Sequence, residues 1–256
     1  MGAGLRGPET ALRTGVGRDM RHFVALGFAS LFSLTAPVQA QDQAAQEGDP
    51  PAYRCPSADL QVFAVDPDLA RHICDVEEQA APALAACGMP DRSPLDIYVV
   101  QRIEAVGPHC LGTYVCATDE IAVVAPDQLA TLEVLSDIYR SMQVADLFDS
   151  LVVHEITHAR LTKALQGEEL SVASHEYIAY AMQFASLPDS VRQSLAAGRS
   201  TEPVDRSRIN ELTLFFGGPD AFAPLVWRHF QAEGNGCGFV KSLIDGSTIL
   251  GLPPDS

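Results

Sequence analysis

Residues 143–165 constrain this chain more than any other stretch. Apolar side chains fall at Val144, Leu147, Phe148, Leu151, Val152, Ile156, Ala159 and Leu165, a broad stripe at helical spacing. Gly167 ends it. A helix of this kind is buried on most of its circumference. Within it, "SLVVHEITHARL" (150–161) places His154, Glu155 and His158. Two imidazoles four residues apart project from one face about a turn apart. A His–Glu–His cluster is costly to bury without partners or a metal. The spacing lets both histidines grip one zinc ion while Glu155 sits beside them without ligating. Arg160 is the misfit, standing where a hydrophobic residue is the usual choice.

A catalytic zinc takes a third protein ligand and keeps its fourth position for water. The water's pKa falls toward about 7, and a neighbouring carboxylate can accept its proton. Glu155 is placed for that work. Beyond His158 the helix rises about 10 Å to Leu165, and "QGEELS" reverses the chain. Ser171 can cap a following helix, which climbs back about 7–8 Å by Glu176 and comes level with His158. Glu176 is therefore the expected third ligand. Its neighbour His175 points about a quarter-turn away, and Glu168 and Glu169 read as solvated turn residues.

With those residues in place, "HEITH" followed after seventeen residues by Glu176 in "SHEYIAYAMQ" resembles the gluzincin division of zinc metallopeptidases. The resemblance is strong over roughly residues 147–186. It implies one zinc at His154, His158 and Glu176, Glu155 as base and proton shuttle, and a zincin-like fold. A metzincin extension is absent, because position 164 is alanine where a third histidine is needed. Many gluzincins carry an acidic residue one turn after the glutamate ligand, holding a ligand histidine; here that position is Tyr180. The transition-state donor or outer partner is open among Tyr180, Tyr177, His175 and His229.

Ahead of the motif, "LQVFAV" (60–65) and "LDIYVVQRI" (95–103) read as strands separated by a helix that Pro67 opens and Gly88 closes. Residues 113–125 read as two short strands turning at Thr118–Glu120. The resemblance implies a sheet edge along which substrate backbone pairs; the second of these strands, 120–125, is either that edge or simply a core strand. Helices follow through about Ser186 and from Pro188 to Ala197, then "TEPVDRSR" as a loop, then helices in "AFAPLVWRHFQAEG" and "GFVKSLIDG". The fold class is α+β: a small mixed sheet, the active-site helix, and a mostly helical C-terminal half.

"MRHFVALGFASLFSLTAPVQA" (20–40) has the basic start, short apolar core and small-residue exit of a secretory signal peptide, with Val38 and Ala40 before the cut. Residues 1–19 are an N-terminal extension, 41–52 a disordered lead-in, and 53–256 a single expected domain. Removing the first forty residues takes away four arginines and two acidic residues, which leaves 13 basic and 31 acidic side chains, a formal charge of −18. That surface argues against nucleic acid and anionic lipid as partners, and no apolar run is long enough for stable membrane insertion. All six cysteines follow the signal, which suggests disulfides in an exported chain. Cys110 and Cys116 are the easiest local pair, with free cysteines as the alternative.

The expectation is an exported, periplasmic or secreted zinc hydrolase acting on a peptide or protein substrate. A non-peptide zinc amidase or esterase, and a non-catalytic zinc- or partner-binding protein on a degenerate peptidase fold, are its rivals. Oligomeric state is not legible.

Overall fold

The structure is a computed structural model that describes residues 50–103, 110–132, 135–196 and 202–251. The signal segment, the extension before it and residues 41–49 of the lead-in lie outside the described residues. Strand β1 (Ala52–Arg54) opens the described chain, so Ala52 belongs to the sheet and not to a disordered lead-in. Its polar sequence shows no alternation; backbone pairing with β2 (Leu60–Phe63) defines it. Asp66 then caps helix α1 (Pro67–Ala86) by accepting the Asp68 N–H at 2.9 Å, with Pro67 where its missing N–H costs nothing.

Strand β3 (Leu95–Val100) follows, then β4 (Gly112–Val115) and β5 (Glu120–Val124). Helices α2 (Pro126–Leu129) and α3 (Asp137–Arg140) are single turns. The long helix α4 (Val144–Leu165) ends at Gln166, whose left-handed φ of 51° turns the chain, with Gly167 next at φ 95°. Ser171 caps α5 (Val172–Ser186), its hydroxyl accepting the Ser174 N–H at 3.1 Å. Helix α6 (Asp189–Ala196) comes next, and a 3-10 turn at Arg206–Arg208 lies inside the expected loop. Helix α7 (Glu211–Gln231) begins ten residues before Ala221 and kinks at Gly218. The Gly217–Gly218–Pro219 break hid its first half in the sequence, while Asn210 caps it by accepting the Thr213 N–H at 3.0 Å. Helix α8 (Cys237–Ile244) is the last element.

The five strands run in the order β1-β2-β3-β5-β4. β2, β3 and β5 are mutually parallel, while β1 and β4 pair antiparallel at the two ends. The molecule is a mixed α+β structure. β5 has a neighbour on each side, so residues 120–125 are not the edge; β4 is. The hairpin turn folds β4 outward, leaving its far side without a strand among the described residues. Lys163 of α4 bonds Asp119 in that turn at 2.6 Å, and the Tyr114 hydroxyl donates to the same carboxylate at 2.7 Å. The hairpin is thereby pinned to α4.

α4 is the centre of the core, with Val152, Ile156 and Leu161 fully buried; each contributes roughly 1.5–3 kcal/mol by leaving water. Arg160 is buried among them at 5% exposure. It pairs with Glu77 of α1, itself 3% exposed, and Glu77 also takes both the Nε (3.0 Å) and an Nη of Arg92. An ion triad therefore explains the residue that broke the apolar pattern.

The disulfides are Cys55–Cys74, which ties the end of β1 to α1, and Cys87–Cys237, which ties α1 to α8 across 150 residues. On chain-entropy grounds a loop this long is worth about 5 kcal/mol. The local pairing is corrected: Cys110 and Cys116 are free. "LGTYV" between them is an extended strand, which separates its ends by far more than the roughly 4.4–6.8 Å a disulfide spans. No described helix is long and apolar enough to cross a membrane.

Candidate metal centre

Helical spacing on α4 brings His154 and His158 to one face, and the left-handed turn at Gln166–Gly167 sends α5 back along it with Glu176 facing them. His158 Nε2 lies 3.2 Å from His154 Nε2. Glu176 places Oε2 at 3.5 Å from His154 Nε2 and Oε1 at 3.5 Å from His158 Nε2. These three residues form the one group of three potential metal donors among the described residues, all within 4.8 Å of one another.

The distances fit an ion better than they fit direct contact. Three donors about 2.1 Å from a tetrahedral zinc stand ~3.4 Å apart. A charge-assisted hydrogen bond would instead draw nitrogen and oxygen to about 2.7–2.9 Å. The donor set, two imidazoles and a carboxylate, suits a divalent transition metal.

Electrostatics treat the two imidazoles differently: burial lowers His154, but the hydrogen bond and charge of Glu176 raise it above the ordinary value. Burial, reinforced by His154 opposite, pushes His158 down to about 3, so its ring is neutral. Burial alone would raise Glu176, but the facing imidazoles, His154 foremost, hold it down at about 2, as a carboxylate. Glu155 is 5% exposed. Burial, with Glu176 adding to it and His154 opposing, pushes Glu155 up to about 7. Its side chain packs on Gly112 of β4, where a Cβ would stand 2.5 Å from Oε1 and 2.8 Å from Cγ.

A cleft of about 820 Å³ opens over the cluster. β4 forms one wall through Gly112, Thr113 and Tyr114; Tyr139 of α3 and Pro219 of α7 face into it; Glu168 and Glu169 lie on its rim, exposed as solvated turn residues should be. Asp220 positions Tyr139 by accepting the Asp137 and Ile138 N–H groups at 3.1 and 2.8 Å at the start of α3.

A model of DUF6639, described as a family of unknown function, matches residues 60–253. The chain belongs to the DUF6639 family. No curated protein and no solved structure matches it. The DUF6639 match spans the whole cluster and both helices that carry it.

The four remaining candidates separate cleanly. Tyr180 lines the cleft and meets the His154 ring edge-on at 4.8 Å; burial drives its hydroxyl pKa well above the ordinary value. His175 also lines the cleft, its ring 6.0 Å from that of His158, and burial lowers its pKa. Tyr177 and His229 bond each other at 2.9 Å and pack on Phe239, away from the cleft lining. Three residues were not anticipated: Gly112, Tyr139 and Gln183. Gln183 had a local signal, since it stands seven residues after Glu176 and shares its helix face. Tyr139 and Gly112 had none, because each reaches the site across the fold.

Proposed function

We propose that this chain is an exported zinc-dependent hydrolase that cleaves peptide bonds. The observation that carries it is the 3.2–3.5 Å donor triangle of His154, His158 and Glu176, with Glu155 buried beside it under an open cleft. Family membership brings no activity with it, so the reading rests on this geometry. Export is supported by the signal-like segment and two disulfides.

His154, His158 and Glu176 would hold the ion, which when bound supplies a Lewis acid and a water of lowered pKa. Glu155 accepts a proton from the attacking water at its carboxylate and returns it to the leaving amine nitrogen. Burial suits it to both halves, since it raises the carboxylate's proton affinity into the neutral range. The free side of β4 offers backbone N–H and C=O groups to an extended peptide. This edge favours a peptide over a small ester or amide.

Metal analysis of the purified protein should give close to one zinc per chain, and His158→Ala should bring it near zero with the fold intact. A protein without zinc under non-chelating conditions would refute the reading. Zinc with no hydrolysis of a mixed peptide library would point to the non-peptide or non-catalytic rivals. Gly112→Ala tests the placement of Glu155. The added methyl must displace that carboxyl, so zinc content should hold while turnover falls about 10²-fold.

A further inference from the structure

With Tyr180 one turn after Glu176, α5 brings no carboxylate to the far nitrogen of His154. An amide is there instead. His154 Nδ1 lies 3.0 Å from Gln183 Oε1. Gln183 Nε2 donates to Ser150 Oγ at 3.2 Å, and Ser150 Oγ donates to the Leu147 carbonyl at 2.8 Å. Ser150 and Gln183 are each 1% exposed. Polar side chains this deep in a core are costly unless fully partnered, and here each is partnered in turn.

The direction of the chain follows from its far end. A carbonyl only accepts, so Ser150 gives its single hydrogen to Leu147 and receives the Gln183 N–H on a lone pair. That turns the Gln183 oxygen toward His154. This oxygen also only accepts, so the ring proton sits on Nδ1. Nε2 is then the ring atom that faces Glu176 and His158, and whenever the ring is neutral, with its one proton on Nδ1, the lone pair lies there.

We propose that Gln183, oriented by Ser150, is a positioning residue that locks His154 in its Nδ1–H tautomer and presents Nε2 as a preformed metal donor. The metal half of this rests on the reading above; the tautomer half belongs to the metal-free chain. An outer partner that fixes a ligand histidine typically contributes 10–100-fold in metal affinity. A neutral amide does this without adding negative charge to a ligand set that already contains Glu176.

Gln183→Leu, Gln183→Glu and Ser150→Ala test it, with zinc as the probe. Affinity is read by chelator competition, and the tautomer from the ¹⁵N shifts of His154 in metal-free protein at a pH high enough to leave that ring neutral. The wild type should show an Nδ1–H ring. Gln183→Leu should lose that signature and bind zinc roughly 10–100-fold more weakly. Gln183→Glu keeps an acceptor and should recover both. Ser150→Ala frees the amide and should shift both readouts in the same direction by a smaller factor, which serves if Gln183→Leu does not fold. A folded Gln183→Leu or Ser150→Ala protein with the wild-type signature and affinity within about twofold overturns the proposal; a residue that only ties α5 to α4 would behave so. If the wild type takes up no zinc, the metal reading fails, and the nitrogen signature alone decides the role of Gln183.

Discussion

Glu155→Gln protein should take up zinc as the wild type does and hydrolyse peptide roughly 10²–10⁴-fold more slowly, the usual contribution of a positioned general base. The substitution is isosteric, so the packing on Gly112 survives. The amide cannot accept and return the proton. Folding should be unharmed or slightly improved, because a carboxylate that burial already pushes up to about 7 is replaced by a group without charge to desolvate. Zinc content, a thermal melt and initial rates on a peptide library measure the three quantities. Turnover within a few-fold of wild type would remove Glu155 from the chemistry. Lost zinc would show that Glu155 helps to hold the ion instead.

The largest stability effect is expected away from the cleft, at Glu77. Its two oxygens are shared by Arg160 and Arg92. One nitrogen of Arg160, Nη1, is buried with no partner even with Glu77 in place. Glu77→Ala takes the shared counter-charge from one deeply buried guanidinium and one partly buried guanidinium, leaving Arg160 only the more distant charge of Asp91, a change that costs about 3–5 kcal/mol. In urea this is a shift of roughly 1–3 M in the unfolding midpoint. Replacing Glu77 and Arg160 together by leucine and methionine should recover much of the loss, because packed apolar groups substitute well for a buried ion pair. A single-variant loss below about 1 kcal/mol would mean that the triad is hydrated. Because Arg160 stands two residues after His158, the same variant should loosen zinc retention before it unfolds.

How far the sequence reached depends on how local each relation was. The stripe on α4, its end at Gly167, the Ser171 cap and the return of Glu176 were all legible, since each follows from helical rise and rotation over a few turns. Arg160 was visible only as a misfit, because its partner lies 83 residues away. The hairpin was legible as two strands, but which of them forms the edge depends on β3 claiming one side of β5. The cysteines show the same limit. Cys110 and Cys116 are near in sequence but held apart by a strand, while Cys87 and Cys237 are distant in sequence and adjacent in space.

By itself, then, the sequence determined the helix pair and the three candidate donors it brings together, along with the carboxylate beside them, because covalent geometry repeats every 3.6 residues regardless of what surrounds it. Only the tertiary structure decided that β4 walls the cleft, that Gly112 makes room for Glu155, and that Gln183 and Ser150 form a hydrogen-bonded chain to His154. Those are contacts between elements, selected by which packing buries the core and leaves the fewest polar groups unpaired.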